Sequence, residues 1–368
     1  LAVDQSGEAL RFASSELKAN RPLVLCAVQS TPSAFLCIGP TLRNDRSFHL
    51  EAFSLNPEVL EHASPVFSSD FDAVNVAVGK CCGGGEVLKF ASKELQNDAR
   101  TVTSAVRSAP ASFAHASEAL RSDAAFVSEL MRTMPSLTNN KDFARIVLEA
   151  QGRPFRHFSK QLRGCSDLVL LAARHDSKAA SFIPKEKMAD LGFLASLVGT
   201  NGLTLEHCPP EARSNPTVVR AAVLQNGLAL EFASKGLRED RDMVSDALRT
   251  GDGRQIAFAS PLLLSTENVK YFCTRHRRLR EKSRFILHIV AVNGLYLDLA
   301  SKRLRSDASL VRRAVKSRPE ALSFASDSLL CDHDFLYSLL SMDLRVADYI
   351  PSNMHEEVMD LIRSQPSR

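Results

Sequence analysis

The 368 residues carry a net charge of only +4, with 45% hydrophobic and 24% charged side chains, the ordinary balance of a folded chain. No stretch of about 18 apolar residues occurs, which excludes a membrane-spanning helix. The eight cysteines form no Cys-x-x-Cys, and Cys26, Cys37, Cys165, Cys208, Cys273 and Cys331 fall inside helical positions, so an intracellular, reducing compartment is expected.

Length alone suggests two or three domains, but a short internal period overrides that. The clearest unit runs from Gly227 to Leu248. Leu230, Ala233 and Leu237 share one face of a first helix, and Val244, Ala247 and Leu248 one face of a second, with Asp240 placed to cap the second. Sliding this template along the chain gives cap positions at Asn20, Asp45, Asp70, Asp98, Asp123, Asp142, Cys165, Asp190, Asn215, Asp240, Ser265, Lys282, Asp307, Asp332 and Asn353, with a dominant step of 25 residues. Thirteen residues before the cap stand helix openers such as Gly7, Pro32, Pro57, Gly85, Pro110, Gly152, Gly202, Gly227, Gly294 and Pro319. Seven after it stand Ala27, Ala52, Ala77, Ala105, Ala172, Ala222, Ala247 and Ala314, and three before it a Leu or Phe. A unit this small cannot bury its apolar stripe alone, so neighbours must stack. The expectation is an all-α fold, a single α-solenoid over 1–368 of about fourteen helix-turn-helix repeats.

In chain order, Leu1-Ala2-Val3 resembles the Ala27-Val28 end of a second helix, so the chain is expected to start in mid-repeat, with any targeting peptide out of view. Three 25-residue units follow, and the next step is 28, the extra residues lying in Lys80-Cys81-Cys82-Gly83-Gly84-Gly85. That run is read as an inter-repeat loop, because a phosphate loop needs its Lys after the glycines, between a strand and a helix. From Asp123 to Asp142 the step shrinks to 19 around Met134-Pro135-Ser136, and from Ser265 to Lys282 it shrinks to 17, so irregular repeats are expected near 124–142 and 261–292. Residues 351–368 read as a capping helix with His355, Glu356 and Glu357 outward, followed by a frayed tail.

Chemistry is sparse. His62, His115, His157 and His207 stand one per repeat, eight residues before their caps, in the slot that Phe12, Phe90, Phe232 and Phe324 fill elsewhere. Such spacing cannot converge on a metal and fits half-buried rings packed between units. Cys331-Asp332-His333-Asp334 looks like a ligand cluster until Asp332 is assigned as a helix cap. No Ser, His and Asp constellation stands out, so neither an enzyme nor a cofactor is indicated.

The one asymmetry is electrostatic. Between Lys270 and Glu320 there are fourteen Lys or Arg against four Asp or Glu, a local charge of +10 in a chain of +4. Arg275, Arg277, Arg278, Arg280, Lys282 and Arg284 adjoin Arg303, Arg305, Arg312, Arg313, Lys316 and Arg318. Two readings stand: a solvated face of ordinary helices, or a surface for an anionic partner, acidic protein or RNA. Two residues before the cap, Lys18, Arg43, Arg121, Arg163, Arg213, Arg238, Arg280 and Arg305 make a ladder, either holding carbonyls at the end of the first helix or tracking phosphates.

The run Leu-x-Phe-Ala-Ser-x-x-Leu-Arg-x-Asp, seen in Leu230 to Asp240 and with variations in Leu88 to Asp98 and Leu322 to Asp332, resembles a tandem-repeat family of protists and some bacteria known as domain of unknown function 4116. The resemblance implies helical repeats and a unicellular eukaryote, and it brings no catalytic residues. The expected role is a non-catalytic scaffold, binding other proteins of a multi-subunit complex. The alternative is an RNA-associated repeat protein, such as a mitochondrial ribosomal protein, engaged through 275–318.

Overall fold

The structure, a computed structural model, describes residues 6–79, 86–352 and 354. The expectations for Leu1 to Val3, for the Lys80 to Gly85 loop, for the cap at Asn353 and for the helix over 355–368 lie outside the described residues. Within them every element is helical, and the chain is an α-solenoid of short repeats. By contacts it divides into two compact units, Leu1–Pro184 and Lys185–Arg368. Each is built from the same repeat.

The expected first helix is two pieces. In the reference repeat a six-residue 3-10 helix, Gly227–Phe232, is followed by a four-residue α-helix, Lys235–Arg238, and then by the long helix Arg241–Arg249. Ala233 and Ser234 between the first two are extended, with ψ of 154° and 157°. The break has a use: the Ser234 N–H leaves its own helix and donates to the Arg213 carbonyl of the preceding repeat at 2.9 Å. The same rung recurs from Ser92 to Ser68, Ser117 to Gln96, Ser159 to Thr138, Ser301 to Arg280 and Ser326 to Arg305, at 2.8 to 3.0 Å. Ser14, Ser92, Ser117 and Ser159 also cap their short helices, accepting from the N–H three residues on.

The long helices follow the expected register. Asp240 accepts from the Asp242 and Met243 N–H groups at 2.8 and 2.9 Å, a cap that contributes about 1 kcal/mol. Positions three, four, seven and eight after the cap face the core, as Val218, Val219, Ala222 and Val223 do after Asn215. The openers and the small residues turn out to meet each other. A Cβ on Gly227 would come 2.2 Å from the Ala247 carbonyl oxygen, and one on Gly7 2.3 Å from that of Ala27. The absent side chain is what lets a 3-10 helix lie directly on the next long helix.

One cap was misplaced. Asn140, not Asp142, caps its helix, accepting from Phe143 N at 2.8 Å, while Asp142 sits in the first turn. Phe143, Ala144, Val147 and Leu148 are then the buried set. The step from Asp123 is therefore 17, the same as from Ser265 to Lys282, and the following step returns to 25. Each contact unit thus holds one short repeat. Helix Ala124–Thr133 leads through Met134 into the five-residue 3-10 helix Pro135–Asn139, and helix Thr266–Arg275 leads through His276 into Arg277–Glu281. In both, the 3-10 turn occupies the place of the four-residue helix, and Leu137 or Leu279 fills the buried slot three before the cap.

Candidate anion-binding edge

Register sorts the basic stretch into three groups. Arg277, Arg278 and Arg280 lie on the turn of the second short repeat, five, four and two residues before Lys282. Lys302, Arg303 and Arg305 hold the same three places before Asp307, on helix Lys302–Arg305. Lys302 was not singled out from the sequence; its equivalence to Arg277 is the signal that finds it. The two triplets are neighbours, because Ser301 N donates to the Arg280 carbonyl at 2.8 Å and an Arg303 guanidinium nitrogen reaches the Glu281 carbonyl at 3.4 Å. Five of the six side chains are exposed and Arg305 is half-buried; none forms an ion pair among the described residues.

The second group is engaged within the fold. The Lys282 ammonium donates to the Gly251 carbonyl, and Arg284 pairs with Asp252 at 3.0 Å. This loop is held by Gly253, whose φ of +94° and tight fit against the Phe285 Cβ both require glycine. The third group belongs to the long-helix layer. Arg275 ends one long helix. Arg312, Arg313 and Lys316 are exposed on another, Ala308–Ser317, and Arg318 follows it. Arg312 donates to Ser338 Oγ at 3.1 Å and lies 6.0 Å from the Phe335 ring centre.

Elsewhere the long helices neutralise their cations across repeats. Arg21 pairs with Asp45 and Glu51, Arg46 with Asp70 and Asp72, and Arg220 with Asp246. Arg312 stands where Arg220 stands in its repeat, but faces Ser338 where Arg220 faces Asp246. Hydrogen bonding to the Arg46 guanidinium holds the Asp70 carboxyl below its usual range.

The ladder side chains that hydrogen-bond do so to carbonyls. Arg163 donates to Phe158 O and Phe182 O at 3.0 Å each, and Lys18 to Arg11 O at 2.9 Å. In the same position Gln96, which is uncharged, donates to Leu88, Lys89 and Ala91 carbonyls. At Arg121, Arg213, Arg238 and Arg305 the Nε is buried with no partner. Of the repeated histidines, His62, His115 and His207 are half-buried but His157 is exposed, its Nε2 accepting from Arg156 Nε at 3.0 Å. Asp332 is indeed a cap, accepting from Phe335 N at 3.0 Å. Burial pushes the Cys208 and Cys273 thiols up to about 11, so neither is a ready thiolate. Among the described residues no helix is long and apolar enough to cross a membrane.

A cleft of about 420 Å³ adjoins the basic edge. Lys302, Arg305 and Ser306 form one wall, and Ser326, Asp327 and Ser328 of the next repeat the other. Asp327 is exposed, while the Ser326 and Ser328 hydroxyls lie 2.8 Å apart.

No curated protein and no solved structure matches the chain. The model of one family does, over residues 1–43, 23–68, 192–238, 215–264 and 284–351, which together span more than half of the chain. The gap at 265–283 falls on the second short repeat. The gap at 69–191 contains the first. On the repeated register and on these matches, the chain belongs to the family described as domain of unknown function (DUF4116).

Proposed function

We propose that the chain is a non-catalytic scaffold, an interaction subunit of a larger assembly. The observation that carries this reading is the backbone rung between repeats, Ser234 N to Arg213 O and its equivalents. It sets the same register position of successive repeats side by side, so that surface chemistry adds up along a row. A protein so built recognises partners over an extended row of positions. The test is purification of the native protein at physiological salt, with the composition and stoichiometry of its complex measured. A defined complex that survives gel filtration is expected. A lone chain that turns over a small molecule would overturn the reading.

A second reading, an RNA-associated repeat protein as in a mitochondrial ribosome, is supported by the unpaired cations at Arg277, Arg278, Arg280, Lys302, Arg303 and Arg305. Its test is salt: affinity for RNA should fall by roughly one log unit per log unit of salt for each phosphate contacted.

A further inference from the structure

We propose that the edge formed by Arg277, Arg278, Arg280, Lys302, Arg303 and Arg305, with the cleft that Asp327 lines, docks the sugar-phosphate backbone of RNA. The proposal deepens the second reading above. It names the residues, the part of the nucleic acid and the atom that separates RNA from DNA.

The edge is bounded. Aligned by the backbone rung of Ser260 to Arg238, the repeat before it places Pro261, Leu262 and Leu264 at the three equivalent positions, and the repeat after it Asp327, Ser328 and Leu330. Six cations are therefore confined to two adjacent repeats joined by the Ser301 to Arg280 bond. Packing does not require Arg277, Arg278 or Arg280, because the first short repeat places Pro135, Ser136 and Thr138 in the same three positions on the same backbone. Guanidinium and ammonium groups without ion pairs, five of them exposed and Arg305 half-buried, suit a row of phosphates, which they bind with release of counterions.

The cleft adds a different contact. A carboxylate beside two cations opposes an anion, so Asp327 is out of place in a surface that binds charge alone. It is in place as an acceptor for a sugar hydroxyl. Lys302 and Arg305 on one wall take a phosphate oxygen, and on the other Asp327 accepts from the adjoining ribose 2′-hydroxyl, with the Ser326 and Ser328 hydroxyls beside it. Deoxyribose lacks that donor, so the cleft reads the sugar.

The experiment uses the whole chain and fluorescent duplexes of about 16 base pairs, RNA and DNA of one sequence, together with an oligoglutamate peptide. Binding is followed by anisotropy between about 50 and about 200 mM salt. With all six cations engaged, log affinity for a duplex should fall against log salt with a slope of roughly −5. RNA should be preferred over DNA by roughly tenfold, the size of one hydrogen bond to a charged acceptor. Replacing Arg277, Arg278 and Lys302 by Gln should flatten the slope by about one for each cation lost. Asp327→Ala should bring RNA affinity down to that of DNA, and Asp327→Asn keeps the shape of the side chain as a control for folding. All four positions are exposed, so circular dichroism and melting should be unchanged. Oligoglutamate binding as tightly as RNA would overturn the proposal in favour of an acidic protein partner. So would the absence of RNA binding at low salt, or an RNA preference indifferent to Asp327. None of these results touches the scaffold reading, whose test is the composition of the native complex.

Discussion

In the first short repeat the chain leaves its long helix through Met134 and turns through Pro-Ser-Leu-Thr-Asn; in the second it leaves through His276 and turns through Arg-Arg-Leu-Arg-Glu. The exit residues have nearly the same backbone, φ −129° and ψ 79° against φ −125° and ψ 76°. Both turns bury one Leu, and both deliver a Phe three residues after the next cap, Phe143 against the Phe113 ring at 5.3 Å and Phe285 against Gly253. What the geometry demands is therefore small: a Leu, a Phe and a chain that turns in five residues. The side chains between are at liberty, neutral in one place and cationic in the other, and that liberty is where a function can be written.

If the two turns are equivalent in packing, Leu137→Ala and Leu279→Ala should each destabilise by about 2–5 kcal/mol, read by urea denaturation. A large cost at one and none at the other would break the comparison. The caps sharpen it on a smaller scale. Asn140→Ala should cost about 1 kcal/mol, whereas Asp142→Ala, which removes no cap, should stay within about 0.5 kcal/mol. Equal losses from the two would return the register to Asp142.

That register was legible. From Asp142 the core positions would be Arg145, Ile146, Glu149 and Ala150, two of them charged; from Asn140 they are all apolar. Both residues are good caps, so only the downstream pattern decides between them. The broken first helix was legible too. Pro40, Pro65, Pro210 and Pro261 sit where a continuous helix would have its interior, which proline does not tolerate, and a Ser recurs at the preceding position in other repeats. Less could be read of the edge. Its charge is plain in the sequence, and Lys302 follows once positions are aligned. That Lys282 is held by Gly251 and Arg284 by Asp252 depends on a loop about thirty residues upstream, and periodicity has no information on where that loop bends.

His276 standing where Met134 stands gives the two turns different responses to acid. Its Nε2 lies 2.9 Å from Ser245 Oγ. Burial first, then the neighbouring Arg275, holds its imidazole below the usual value; the hydrogen bond with Ser245 opposes this, Arg249 adds to it and Asp246 acts against it. In the window below the ordinary histidine value of about 6.5 the unfolded chain binds more protons than the folded one, so stability rises with pH there and is lost as pH falls. Melting at about pH 5 and about pH 7.5 should therefore show a drop that His276→Met reduces. His288, also pushed down by burial, keeps part of the sensitivity. An unchanged drop in the Met variant would mean that the His276 site is hydrated enough to protonate in place.

The smallest expected effect on stability is the most informative about function. Copying the first turn onto the second, Arg278→Ser with Arg280→Thr, exchanges two exposed side chains and leaves Leu279 and the backbone rung from Ser301 to the residue 280 carbonyl intact. Stability should stay within about 0.5 kcal/mol, and RNA affinity should fall with a salt slope shallower by about two. The converse pair, Ser136→Arg with Thr138→Arg, should be as silent in folding, since the same backbone already carries arginines at those positions in the second turn. Should the first pair unfold the chain, the arginines would be part of the packing after all, and a row of cations without ion pairs would then need a structural cause in place of a partner.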